Sequence, residues 1–261
     1  MTRRAAAIFA AVVALLALVE TGVALTARAR VATDADWQAA AAEVRAGFTA
    51  GDVITFAPAW VDQIGRAHLG DLVTVEMAGR SDVDRYARVW EVSIRGAHSP
   101  DVAGARLVRE AQHGRVRVAL YEKAATPVVY DFTQHAAELI GARYEVRTLE
   151  IDYRPRRGIL IVPTTQPMKY EWREVPLGDT LVVYAGLHDY YARKSADGLV
   201  DFHVAVDGVE KLHAEVGNDD GWRRFTIDTR ALAGTRHTVS FTVAAARPAW
   251  RNFGFHAEAR R

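Results

Sequence analysis

No cysteine occurs in the 261 residues, which removes disulfides, thiolate nucleophiles and every zinc or iron–sulfur centre built on cysteine. Stability must come from packing. An excess of one charge is missing too: 33 Lys and Arg stand against 32 Asp and Glu, with the signs interspersed. A nucleic-acid binder concentrates basic residues on one face to meet phosphates, so nucleic acid is not an expected partner. Lysine is scarce, confined to Lys123, Lys169, Lys194 and Lys211, a bias without functional meaning by itself. The few serines, Ser81, Ser93, Ser99, Ser195 and Ser240, sit in no Gly-x-Ser-x-Gly elbow. A phosphate loop, a His-Glu-x-x-His helix and a dinucleotide fingerprint are also absent. Most dedicated catalytic templates are therefore excluded. A glycosidase-like carboxylate pair stays open, because its separation is spatial rather than sequential.

What is present begins with Arg3 and Arg4 followed by an apolar run from Ala5 to Val19. Continued past Glu20 to Leu25, the run has about the length a helix needs to cross a hydrocarbon core of roughly 30 Å. Residues 1–30 are expected to be a membrane anchor, with the body extracytoplasmic (periplasmic) on a single-pass inner or plasma membrane protein. The alternative is a cleaved signal segment, since Ala27-Arg28-Ala29 has a cleavage spacing, and the body would then be secreted. A buried helix of a cytosolic chain is a third reading. Arg28 and Arg30 balance Arg3 and Arg4, so the positive-inside rule does not orient the segment. The short preceding tail favours a cytoplasmic N-terminus.

Half the residues are apolar, enough for two domains with sizeable cores; no internal repeat or low-complexity tract occurs. Residues 33–123 mix helix and strand signals. Thr33 and Asp36 resemble a capping box ahead of Trp37, Ala41, Val44 and Phe48 at helical spacing. Val53 to Ala57 reads as a buried strand, Trp60 to His68 as a helix, and Arg88 to Ile94 as a second strand. Ser99 and Pro100 are expected to open another helix through Val102, Leu107, Val108 and Ala111, before a third strand at Arg115 to Tyr121. The pattern predicts a small three-stranded α/β layer with parallel pairing.

Residues 126–261 read as all-β. Phe202, Val204 and Val206 alternate with polar neighbours, and Asp207-Gly208 turns the chain back into Leu212, Ala214 and Val216. The same period recurs at Phe225 and Ile227, at Val239, Phe241 and Val243, and at Phe253 and Phe255. Tyr144 and Val146, then Leu149, Ile151 and Tyr153, change phase once, which predicts a bulge or a strand crossing between sheets. Some eight strands are expected, forming an antiparallel two-sheet sandwich.

Leu177-Gly178-Asp179, the Val206-Asp207-Gly208 hairpin, Gly221-Trp222 leading into Phe225-Thr226-Ile227-Asp228, and Val239-Ser240-Phe241 together resemble galactose-binding-like jelly rolls over Thr126 to Arg261. The resemblance implies a sandwich, not a particular sugar. Gly51-Asp52-Val53-Ile54-Thr55-Phe56-Ala57-Pro58 is similar to extracytoplasmic α/β segments of polytopic membrane glycosyltransferases. The chain lacks their many membrane helices, so the resemblance implies an accessory role in envelope glycan or glycolipid handling, not transferase activity.

Ligands of open α/β sheets collect beyond the carboxyl ends of the strands. Pro58, Trp60, Asp62, Arg66 and His68 follow the first strand, and Arg95 and His98 the second. Asp62, His68, Arg95 and His98 are thus the candidates for a catalytic or phosphate-binding crevice. The competing reading makes Trp60 a packing residue, Asp62 a helix cap and His68 a surface residue. In the β half, Tyr190, Tyr191, Arg193, Trp222, Trp250 and Arg251 are the candidate ligand-binding residues, because sugars stack an apolar face on aromatic rings while Arg, Asn and Asp satisfy the hydroxyls. The same rings equally serve packing. His188-Asp189 and Asp201-His203 offer nitrogen and oxygen donors, but neither has a recognised ligand pattern. No metal and no cofactor is assigned, and structural calcium in the sandwich stays an alternative.

The residues thus favour a non-enzymatic, membrane-anchored binding or accessory protein whose sandwich meets envelope glycan or an envelope protein. A hydrolytic or glycan-active accessory enzyme and a purely structural scaffold are the alternatives.

Overall fold

The computed structural model describes residues 3–29, 31–78, 82–152, 154–188, 198–218 and 220–261, with backbone alone at 3–8, 10, 24–29 and 76. The chain divides into two units, Met1–Gly70 with Arg88–Glu122, and Asp71–Ala87 with Lys123–Arg261. The second unit therefore takes in a stretch that lies, in sequence, within the mixed α/β half.

The first unit begins with α1 (Arg3–Ala29). Its described side chains are those of residues 9 and 11–23, and the large apolar ones among them, including Phe9, Val12, Leu15, Leu16 and Val19, are exposed. Among the described residues, no helix is long and apolar enough to cross a membrane.

The expected capping box starts α2 (Asp34–Gly47). Asp36 N–H donates to the Thr33 hydroxyl at 3.2 Å, and Thr33 N–H donates to the Asp36 carboxylate at 2.9 Å. Each satisfies an amide that the first turn leaves unpaired. Trp37, Ala40, Ala41 and Val44 form the buried stripe. The strand β1 (Asp52–Ala57) is buried throughout and leads through a single 3-10 turn into α3 (Asp62–Leu69). Gly65 lets that helix approach the strand: a Cβ there would meet Phe56 Cε1 at 2.0 Å. Parallel to β1 runs β2 (Arg88–Ile94), in the register Thr55 to Glu91.

The helix expected after Ser99 does not form. Ser99 does cap Pro100–Val102, accepting from Asp101 N–H at 3.2 Å, but those residues make one 3-10 turn. The chain continues into β3 (Arg106–His113) and β4 (Val116–Glu122), an antiparallel hairpin closed through Gly114 at φ +55°. Leu107 and Val108 are both exposed, so no apolar helix face existed to bury, whereas β4 offers a ladder of backbone partners. The result is a four-stranded sheet in the order β1-β2-β4-β3. The three-stranded parallel layer is thereby corrected: one pair is parallel and two are antiparallel.

The second unit starts with α4 (Val75–Ala78), followed among the described residues by eleven strands. They are β5 (Val128–Asp131), β6 (Ile140–Gly141), β7 (Glu145–Ile151), β8 (Arg154–Ile161), β9 (Met168–Pro176), β10 (Thr180–Leu187), β11 (Val200–Val206), β12 (Val209–Val216), β13 (Arg223–Asp228), β14 (Arg236–Ala245) and β15 (Phe253–Arg260). One sheet runs β13-β10-β15-β8-β7, with β5 also on β15, and the other β12-β11-β14-β9-β6. All pairings are antiparallel. Val183, Phe253 and Phe255 of the first sheet share one core with Trp172, Phe202 and Phe241 of the second, which makes the unit a sandwich.

The Asp207-Gly208 turn forms as expected, with φ +49° and +78°, the left-handed pair that a type I′ hairpin requires. The phase change near Tyr144 has a different cause from the one expected. The β7–β8 register is unbroken from Glu145 to Ile151, with no bulge or change of sheet. Tyr144 and Val146 pack on the sandwich core. Leu149 and Ile151 are also buried, but their side chains abut Gly158, Gly186 and Gly254 in the same sheet. A sheet covered on both faces needs no strict alternation.

That second cover includes Asp82 and Arg85. Along β15 the residues His256, Glu258 and Arg260 alternate with the core residues Phe255, Ala257 and Ala259, yet all six are buried. Arg260 donates to Glu258 at 2.5–2.8 Å and to Asp82 at 2.5 Å, and Arg85 donates to Glu258 at 3.0 Å. Tyr184 O–H donates to the same Asp82 oxygen at 2.5 Å. Burial by itself would raise the pKa of Glu258, but His256, Arg260 and Arg85 hold it down at about 2.

Candidate functional site

Four connections of the sandwich leave from one end. In the first sheet, the end of β10 (Leu187) and the end of β8 (Ile161) both pair with the start of β15 (Phe253), while the start of β13 (Arg223) faces Ala185. In the second, the start of β11 (Val200) faces the ends of β12 (Val216) and β14 (Ala245), and the start of β9 (Met168) faces Val243. Residues 162–167 and 246–252 consequently each cross from one sheet to the other at this end, where the described residues 188, 198–199, 217–218 and 220–222 also lie.

Arg251 ties these loops together. Its side chain is fully buried, and Nη1 donates to Gly198 O at 3.1 Å and to Asn218 Oδ1 at 2.5 Å. Beside it, His188 N–H donates to Asn252 O at 2.9 Å, and Ala245 N–H donates to Thr164 O at 2.9 Å. With Arg251 locked inward, its neighbour Trp250 takes a left-handed φ of +62° and remains 49% exposed. A non-glycine residue in that region is uncommon and is sustained by its surroundings.

The structure therefore brings Trp250 and Arg251 to one loop end, but in different roles: the indole faces outward and the guanidinium is the internal clamp. Trp222 also begins there, half-buried, with its Nε1–H donating to Arg154 O at 2.8 Å and the Arg156 guanidinium 5.8 Å from its ring. Tyr190, Tyr191 and Arg193 lie outside the described residues. The residues bounding their segment, His188 and Gly198, bond to Asn252 and Arg251. Sequence reading did not anticipate the clamp role of Arg251, because the partners that bury it are Gly198 and Asn218, 53 and 33 residues away.

In the first unit the candidate crevice residues disperse. Asp62 pairs with Arg66 one turn along α3 at 2.7 Å. His68 lies 3.3 Å from Asp34 and stacks on Trp37. Arg95, at φ +57°, lies over the Trp60 ring at 5.5 Å. His98 Nδ1 lies 3.1 Å from Glu91 Oε2. Trp60 and Arg95 share an apolar groove of about 150 Å³ lined with Val31, Trp37, Ile64 and Ile94.

Beside the carboxyl ends of β1 and β2, the Ser99–Asp101 turn supplies partners for their buried polar groups. Ser99 N–H donates to buried Glu91 at 2.6 Å, and Arg117 donates to the same carboxylate at 2.6 Å. The Thr55 and Ser99 hydroxyls are 3.0 Å apart and each donates to Asp101, at 2.9 and 3.0 Å. These groups are mutually satisfied, as buried polar groups must be. Glu91 escaped sequence reading because a lone glutamate inside an apolar strand carries no spacing signal.

Among the described residues, two groups of His and carboxylate donors converge, Asp131 with His256 and Glu258, and Asp201 with His203 and His213. In the first, Asp131 accepts from Thr133 N–H, Gln134 N–H and Gln134 Nε2–H at 2.8–3.2 Å. Its Glu258 is already met by two guanidiniums. A further cation there would face like charge in a buried setting.

No protein-family model matches the sequence, nor does any curated protein. Similar solved structures include CBM51 from Clostridium perfringens GH95 in complex with methyl-galactose, at 10% identity and TM-score 0.39, covering 50% of this chain and 99% of that one. CBM35 from Paenibacillus barcinonensis matches at 14% identity and TM-score 0.32, covering 51% and 96%. The CBM51-2 and INT domains of Clostridium perfringens ZmpB match at 18% identity and TM-score 0.34, covering 47% of this chain and 28% of that chain. The chain thus spans little more than a quarter of the ZmpB structure.

Proposed function

We propose that this chain is a membrane-anchored extracytoplasmic binding protein whose β-sandwich takes envelope glycan at the loop end carrying Trp250. The observation that carries the glycan reading is a half-exposed indole held at a left-handed φ beside a fully buried arginine clamp. An exposed indole presents an apolar plane, and sugar rings offer a matching apolar face. Tyr190, Tyr191 and Arg193 remain candidates on the sequence alone. The anchor rests on the apolar run Ala5 to Val19 and on the exposure of Phe9, Val12, Leu15, Leu16, Leu18 and Val19. In water such a surface would be costly, and a bilayer would accept it.

Screening the chain against envelope polysaccharides should find binding that Trp250→Ala weakens about tenfold, equivalent to about 1.4 kcal/mol. Failure to bind any envelope polysaccharide, or equal binding by the variant, rejects the glycan reading. A cytosol-active reporter fused to the carboxyl terminus should stay silent; its activity would reject the extracytoplasmic placement.

A further inference from the structure

The hairpin β11–β12 turns Asp201 and His203 onto the outward face of its sheet, alternating with the buried Val200, Phe202 and Val204. Its antiparallel register sets His213 directly opposite His203. The two imidazoles stack with centroids 4.2 Å apart and planes 7° from parallel. Both present Nε2 to one carboxylate, His203 to Asp201 Oδ2 at 3.0 Å and His213 to Asp201 Oδ1 at 2.6 Å. On its far side, His203 Nδ1 lies 2.7 Å from Glu210 Oε2. A carboxylate only accepts, so both nitrogens of His203 carry protons in the metal-free cluster; an ion would displace the proton on Nε2 while Glu210 keeps the one on Nδ1.

We propose that Asp201, His203 and His213 form a surface binding site for a divalent transition ion of the zinc class, with Glu210 as the carboxylate that orients His203. The donor atoms lie within 4.8 Å of one another. Zinc bonds of about 2.0–2.2 Å hold tetrahedral ligands roughly 3.3 Å apart, so side-chain rotation closes the set around one ion. Two imidazole nitrogens and one carboxylate oxygen suit a borderline ion rather than calcium or magnesium, which take oxygen ligands. Three protein ligands leave a coordination position for water or for a donor from a partner. The Glu210–His203 contact matches the outer-shell carboxylate found behind ligating histidines, whose loss typically weakens metal affinity about 10–100-fold. Unlike the Asp131 group, these three residues have no guanidinium partner among the described residues.

The test is calorimetric titration of the full-length chain, purified without a histidine tag, with zinc chloride at about pH 7.5. One ion per chain should bind; Glu210→Gln should weaken it at least about tenfold, and the His203→Ala, His213→Ala double variant should abolish it. Calcium chloride should give no heat at this site. A flat zinc isotherm, or one unchanged in the double variant, overturns the proposal. Should that variant fail to fold, cobalt substitution of the unaltered chain decides: d–d absorption displaced by zinc supports the site, and its absence refutes it.

Discussion

Replacing Glu258 by Gln tests the reading of the buried face of the sandwich most directly. The substitution keeps the side-chain volume, removes one charge facing Arg260, Arg85 and His256, and turns one acceptor oxygen into an NH2 donor. In the folded chain the carboxyl pKa is held at about 2 against an ordinary 4.5. At about 1.4 kcal/mol per pH unit, that difference corresponds to about 3 kcal/mol of stability. It lies in the range of about 3–5 kcal/mol found when one partner of a buried ion pair is removed. Because the folded pKa is depressed, the contribution is fully present above about pH 4.5 and is lost as pH falls toward about 2. Between those values the unfolded chain takes up a proton that the folded chain refuses. Thermal unfolding followed by near-ultraviolet circular dichroism should therefore place Glu258→Gln about 6–12 °C below the unaltered chain at neutral pH. The two curves should converge near pH 2. A neutral-pH difference under about 1 kcal/mol, or one that stays as wide at about pH 2, would refute the charge-pairing argument.

Gly65→Ala should destabilise the first unit by about 1–3 kcal/mol, because the new Cβ would meet Phe56 Cε1 at 2.0 Å; hydrogen exchange in α3 and β1 is the readout, and unchanged protection would contradict the close approach. Thr33→Ala should cost about 1 kcal/mol by removing the cap on α2, visible as faster exchange of the Asp36 amide. Arg251→Met keeps much of the side-chain volume but frees Gly198 O and Asn218. It should weaken glycan binding as much as Trp250→Ala does, and full affinity would show that the clamp does not position the indole.

How much was legible varies with the range of the interaction responsible. The Thr33 capping box, the strands at Val53–Ala57 and Arg88–Ile94 and the Asp207-Gly208 hairpin all formed where the sequence placed them. Each depends on partners within a few residues or on a single period of burial. Leu107 to Ala111 misled because apolar residues at helical spacing also satisfy a strand whose faces are both partly exposed. Val146 and Leu149 suggested a bulge because alternation presumes one wet face, and here both faces are covered.

The sequence by itself determined local matters: the caps, the turns, the two-residue period of the sandwich strands, and the exclusion of cysteine chemistry and one-sided charge. These follow from backbone sterics and from which side chains water rejects, and both act over a few residues. Tertiary structure alone decided that Arg251 is a clamp while Trp250 faces outward, that Glu258 keeps its charge between two guanidiniums, and that His213 stands opposite His203. Those outcomes depend on strand register and loop closure, which bring together residues tens to hundreds of positions apart. The charge of a buried group is then set by whichever neighbours the fold supplies.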